Sequence, residues 1–132
     1  MRFMLDMNII AYARNNRPES VLRRFLQYRP EDMCISAITM AELEYGVFNS
    51  YGPDQNRLAL MTFLSRIQVI PFGAEAAREY GAIRADLTKK GMLIGASDLL
   101  IAAHAKAAGL TLVTNNQREF ERVEGLSIEN WV

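Results

Sequence analysis

Three acids, Asp6, Glu42 and Asp98, lie far apart along the chain, each set among apolar or small residues. Side chains of this type have a chemical use if the fold gathers them, because several carboxylate oxygens together bind a hard divalent cation. Asp6 closes the apolar run Phe3-Met4-Leu5. An acid directly after a short buried strand ends at the carboxyl edge of a sheet, where open α/β folds place their active sites. Asp98 leads into Leu99-Leu100-Ile101, the flank of a largely buried helix. Buried together without a cation, the three acids would repel one another and their pKa values would rise. A divalent ion removes that conflict, and oxygen-only ligands favour Mg²⁺ or Mn²⁺ over zinc, which wants histidine or cysteine. The only histidine, His104, falls about 240° around the helix from Asp98 and so on another face. It reads as a structural or surface residue.

Each acid also has a plainer explanation. Glu42 completes the capping-box spacing Thr39-Met40-Ala41-Glu42, in which a glutamate satisfies a backbone N–H. Asp98 suits a helix first turn or N-cap, and Asp6 suits a turn or helix cap ahead of Asn8-Ile9-Ile10. Glu44 sits about 200° from Glu42 on a helix, so only one of the two can face a sheet edge.

The elements that must position these acids alternate in type. Phe3 to Leu5, Met33 to Ile35, Gln68 to Pro71 and Thr111 to Thr114 read as short apolar strands, with longer helical stretches between them. That order predicts an α/β fold, a parallel sheet of about four to five strands sandwiched between helices. Pro18 suits a helix first turn before the apolar stripe Val21, Leu22, Phe25 and Leu26. A second helix starts at Thr39, with Gly46 placed to weaken or end it. Pro53-Asp54 opens a third, with Leu60, Leu64 and Ile67 on one face. The fourth carries Ala76, Tyr80, Ile83 and Leu87 and stops at Lys89-Lys90-Gly91. The fifth runs from about Ser97 to Ala108 before Gly109.

Composition narrows the class. The 132 residues are 50% hydrophobic and 23% charged, which fits one domain over 1–132 and excludes disorder and fibrous repeats. Cys34 is the single cysteine, so an internal disulfide is impossible and a buried thiol is expected. No apolar run reaches the roughly 18 residues of a membrane span, and the expected setting is the cytoplasm. Fifteen basic and fifteen acidic groups leave no overall positive charge. The N-terminal 30 residues nonetheless hold six arginines against Asp6 and Glu19, either solvated helix faces or a phosphate-contacting patch with Arg14, Arg17, Arg23, Arg24 and Lys89-Lys90 as candidates.

Four segments, taken in order, resemble a PIN domain: Phe3-Met4-Leu5-Asp6-x-Asn8, Ser36-x-x-Thr39-x-x-Glu42-Leu43-x-x-Gly46, Asp98-x-x-Ile101-Ala102-x-x-Ala105, and Thr114-Asn115-Asn116-x-x-Glu119-Phe120. The tail Gly125-Leu126-x-x-Glu129-x-Trp131 is similar to that of VapC toxins of toxin-antitoxin pairs. The resemblance implies a metal-dependent endoribonuclease, with Asp6 and Asp98 carrying Mg²⁺ or Mn²⁺ and Glu42 ligating through water or orienting the attacking water. It further implies a structured RNA substrate, often tRNA, a homodimer, and a VapB antitoxin that inserts into the groove.

Two positions depart from the family's pattern. Met7 stands where threonine or serine usually follows the first acid, and a thioether cannot donate a hydrogen bond to the site carboxylates. Asn116 stands where many members have a fourth acid, and Glu119 either supplies that carboxylate or is a solvated acid beside Phe120. A PIN-like module that binds RNA or an antitoxin without turnover is the alternative reading. A haloacid-dehalogenase-type phosphatase would need an aspartate at Asn8, and a receiver domain a lysine where Thr114-Asn115-Asn116 stands.

Overall fold

A computed structural model describes residues 1–132. The chain runs β1 (Phe3–Leu5), α1 (Met7–Asn15), α2 (Glu19–Gln27), a 3₁₀ turn (Pro30–Asp32), β2 (Met33–Ser36), α3 (Ala37–Phe48), α4 (Pro53–Leu64) and β3 (Gln68–Ile70). It continues through α5 (Ala74–Lys89), α6 (Ala96–Ala107), β4 (Thr111–Val113), α7 (Gln117–Phe120) and β5 (Ile128–Glu129). All five strands pair in parallel, in the order β3-β2-β1-β4-β5. The expected α/β sandwich is therefore present, with a fifth strand added at the β4 edge.

Side-chain alternation along the strands divides the core in two. Phe3, Leu5, Met33, Ile35 and Val113 face a layer that contains Ile9, Ile10, Ala13, Val21 and Trp131. Met4, Cys34 and Leu112 face the opposite layer, with Ile83, Leu87, Leu99, Ile101 and Phe120. Strands covered on both faces read as unbroken apolar runs, which is why β1, β2 and β4 were visible in the sequence. Cys34 is a buried free thiol, as expected.

Several local expectations change. Asp6 accepts the Met7 N–H at 2.8 Å and caps α1, so of the turn and helix-cap alternatives the cap is the one that forms. The third helix of the chain begins at Ala37, not Thr39, because β2 runs on to Ser36, whose hydroxyl accepts the Ile38 N–H at 3.0 Å. The Thr39–Glu42 capping box therefore does not form; Glu42 lies in the second turn. Gly46 does not end α3, which continues to Phe48. Pro18 sits just outside α2 as its N-cap residue, and α4 stops at Leu64, short of Ile67, which is buried beyond the helix. The Lys90-Gly91 stop holds, with Gly91 at φ 66° and the Met92 N–H bonded to the Leu87 carbonyl at 2.9 Å.

Gly46 is costly where it stands. A glycine inside a helix is less favourable than alanine by about 1 kcal/mol, and its backbone is ordinary, not left-handed.

His104 links three elements. Its ring is 4% exposed, and Nδ1 lies 2.7 Å from Ser36 Oγ. Burial pushes the imidazole below the ordinary histidine range, opposed by the Pro71 carbonyl beside it. The neutral ring therefore accepts the Ser36 hydroxyl proton while the same hydroxyl accepts from Ile38. This ties α6, which carries Asp98, to the start of α3, which carries Glu42. Ser36→Ala removes the cap and strands a buried ring nitrogen. The expected loss is about 2 kcal/mol of unfolding free energy by urea denaturation.

Candidate active site

The sheet registers bring the ends of the strands into line. Leu5 pairs with Val113, Val113 with Glu129, and Ser36 with Ile70, so the residues that follow them share one edge. Asp6 follows β1 and Thr114 follows β4, and the Thr114 hydroxyl donates to Asp6 Oδ2 at 2.8 Å. The same hydroxyl oxygen accepts the Asn116 N–H at 3.0 Å. Asp6 is thus bonded through both oxygens, one to Thr114 and one to the Met7 backbone. The hydroxyl that Met7 lacks is supplied from the neighbouring strand. Thr114 was not singled out from the sequence, although a threonine directly after an apolar strand at the same edge as Asp6 was the available signal.

Asp98 stands in the first turn of α6, and Glu42 on the second turn of α3. Asn116 Nδ2 donates to Glu119 Oε2 at 3.2 Å, which brings Glu119 into the group and gives the neutral Asn116 a carboxylate to hold. The electrostatics show how near these groups are. Burial, the hydrogen-bonding neighbour Glu119, and the charges of Asp6, Glu119 and Glu42 push the Asp98 carboxyl up to about 7. Burial and then the Asp6 charge raise Glu42. Burial raises Asp6, while the bonds from Thr114 and Met7 act against it. Asp6, Glu42, Asp98 and Glu119 therefore occupy one field, with Asn116 attached through Glu119.

No three of these side chains are gathered as tightly as a single ion's ligand shell requires. Other partners orient two of them: Asp6 is held by Thr114 and the Met7 N–H, and Glu119 by Asn116. The donor set is all oxygen and carries surplus negative charge, so in chemistry and charge it fits Mg²⁺ or Mn²⁺. Thr39, one turn before Glu42, is fully buried with no partner for its hydroxyl.

The expected arginine patch is only partly free. Arg24 pairs with Glu129 and Arg23 with Glu19, and Lys90 bonds to Asp86 and Glu124. Arg14 and Arg17 are exposed and make no ion pair, while Arg57 holds Glu44 at 2.7 Å, away from the acids as the helix angle requires. His104 contributes nothing directly to the site.

The Asp98 shift gives stability a pH dependence with a definite sign. Its carboxyl ionises at 3.8 when unfolded and at about 7 when folded, so between those values the unfolded chain binds fewer protons. Stability of the metal-free protein falls as pH rises through that window, and the penalty is complete above it. Asp98→Asn removes the penalty. Discounted for a half-exposed side chain, the gain is about 1 kcal/mol at pH 8, or roughly 4 °C in Tm, and nothing at pH 3.5. Thermal melts of both proteins at the two pH values check this.

Comparison with known proteins agrees with the geometry. The PIN-domain family model matches residues 3–126. Ribonuclease VapC2 of Haemophilus influenzae is 47% identical over 132 residues, 100% of this chain and 99% of the relative. The tRNA(fMet)-specific endonuclease VapC of Shigella flexneri is 46% identical over 131 residues, 99% of this chain and 98% of the relative. Among solved structures, DNA-bound VapBC from Salmonella typhimurium superposes with a TM-score of 0.93 at 43% identity, covering 100% of this chain and 99% of the other. VapBC2 of Rickettsia felis bound to a promoter DNA fragment gives 0.92 at 44% identity, with both chains covered in full. An acid-lined edge on a parallel sheet, matched along nearly its whole length by these relatives, makes this chain a PIN-domain protein of the VapC ribonuclease family.

Proposed function

We propose that this chain, acting as one domain over residues 1–132, is the toxin of a toxin-antitoxin pair, a Mg²⁺- or Mn²⁺-dependent endoribonuclease that hydrolyses structured RNA. The observation that carries the reading is the meeting of four carboxylates from separate segments at one half-buried edge, where burial first, then the Glu119 hydrogen bond and the charges of Asp6, Glu119 and Glu42, push Asp98 up to about 7. A pocket that makes its own acids reluctant to ionise is suited to a divalent cation.

Asp6 and Asp98 would hold the ion. When bound, the ion supplies Lewis-acid stabilisation of phosphoryl charge and lowers the pKa of a water. Asp6 is fixed in direction by Thr114 and the Met7 N–H, two bonds that work against the burial raising its carboxyl. Glu42, raised by burial and by Asp6, accepts the proton of the attacking water, a role for which an elevated carboxylate pKa is favourable. Asn116 positions Glu119, and the pair orients water or substrate beside Asp98. Water attacks phosphorus directly, so the products carry a 5′-phosphate and a 3′-hydroxyl.

A relative named for tRNA(fMet) cleavage at 46% identity favours tRNA as the substrate. Solved relatives are VapBC complexes, which favours a VapB-like antitoxin as partner and a homodimeric toxin within the assembly. A groove of about 730 Å³ between α1, α2 and α4, with Leu22, Phe25, Leu26, Leu58 and Phe63 among its walls, suits the apolar face of an antitoxin segment. No helix is long and apolar enough to cross a membrane, and an RNA substrate would fit a cytoplasmic setting. Asn116 in place of a fourth acid favours a second reading, a PIN-like module that binds RNA or antitoxin without turnover.

Incubating purified protein with total RNA and Mg²⁺ or Mn²⁺ separates the two. The expected result is cleavage with 5′-phosphate ends, lost on chelation and reduced by on the order of 100-fold in Asp6→Ala and Asp98→Ala. Equal RNA binding by all three proteins with no cutting establishes the module instead.

A further inference from the structure

Beside the acid cluster lies a second, smaller groove of about 300 Å³, formed where α1 and α3 meet the first turn of α4. Glu42 belongs to both the groove and the cluster. Met7, Leu43 and Val47 supply the apolar part of its wall, and Arg14 and Asn56 supply a guanidinium and an amide.

Gly46 completes the wall. Its backbone is not left-handed, and a Cβ built there meets nothing within 4 Å. Neither conformation nor internal packing calls for glycine, and alanine would favour the helix. What the missing side chain preserves is open space in the groove.

We propose that this groove seats one unstacked nucleobase of the RNA substrate, the base next to the phosphate held at the acid cluster. The inference rests on the nuclease reading and names how that site grips its substrate. Sequence-selective RNA binding works on splayed bases, which need a flat apolar contact and a hydrogen bond at the base edge. A methionine thioether packs well against an aromatic ring, and Met7 occupies the position where the resembled family usually has a hydroxyl. Asn56 offers both a donor and an acceptor to a base edge. Arg14, exposed and without an ion pair, takes the adjoining phosphate. An apolar peptide side chain would leave Arg14 and Asn56 without partners, and a charged one of either sign would meet a like charge, Arg14 or Glu42, so a neutral ring with a polar edge fits best.

The test uses the full chain with Ca²⁺ as the hard cation at the acid cluster, and RNA binding is read over times shorter than any cutting seen on a gel. A fluorescent single-stranded RNA is titrated with the parent, Gly46→Ala and Gly46→Leu, with thermal melts as a folding control. Affinity should fall about 3-fold for alanine and at least 10-fold for leucine, with neither variant melting below the parent. The Met7 methyl signal, assigned through Met7→Leu, should shift on RNA addition to the parent and far less in Gly46→Leu. Equal affinities for all three proteins overturn the proposal, as does a parent that binds no RNA. So does a Gly46→Leu variant that keeps its RNA affinity and loses an antitoxin segment, which would make the groove a protein site. A parent that binds RNA through the groove yet cuts nothing with Mg²⁺ or Mn²⁺ supports the groove and overturns the nuclease reading alone.

Discussion

Like charges brought side by side in a half-buried pocket push one another apart, and this fold is built to withstand that push. Asp6, Glu42, Asp98 and Glu119 come from four separate segments, and burial together with their own charges raises Asp98 and Glu42. Their proximity is imposed from outside. The parallel registers set the heights of the strand ends, Thr114 fixes Asp6, and the His104–Ser36 bond joins the helix of Asp98 to the helix of Glu42. Each restraint lies outside the acid group itself. Strain of this kind is local instability held in place by the surrounding core.

The sequence made the central strands legible because burial on both faces leaves little freedom of composition. Phe3-Met4-Leu5 and Met33-Cys34-Ile35 could be little else, and the acid after the first of them pointed to the sheet edge. The peripheral pieces were harder. β5 is only two residues long and carries no periodic signal. Helix α1 had no drawn extent, because Asp6 serves a turn and a helix cap equally well and only the fold selects the cap. The Thr39–Glu42 spacing satisfied the capping rule, but Ser36 lies three residues earlier and the strand delivers it to the helix start first. A local pattern cannot reveal which of two competent caps tertiary structure will select.

Site legibility followed the same division. Acids that follow strands or open helices could be placed, and Asp6, Glu42 and Asp98 do lie in one field. Bonds between distant segments could not be read at all: Thr114 to Asp6 spans 108 positions and His104 to Ser36 spans 68. The arginine-rich start of the chain illustrates the converse. Its charge was plain in the composition, yet Arg24 is taken up by Glu129, a residue near the opposite terminus.

The sheet's margins have a bearing on assembly. Its outer strands, β3 and β5, are three and two residues long. Margins this short offer too few free amide and carbonyl groups for another chain to extend the ladder. Growth by strand addition is closed off at both sides, and any stable association must be made through helix surfaces, where side-chain shape rather than backbone pairing selects the companion.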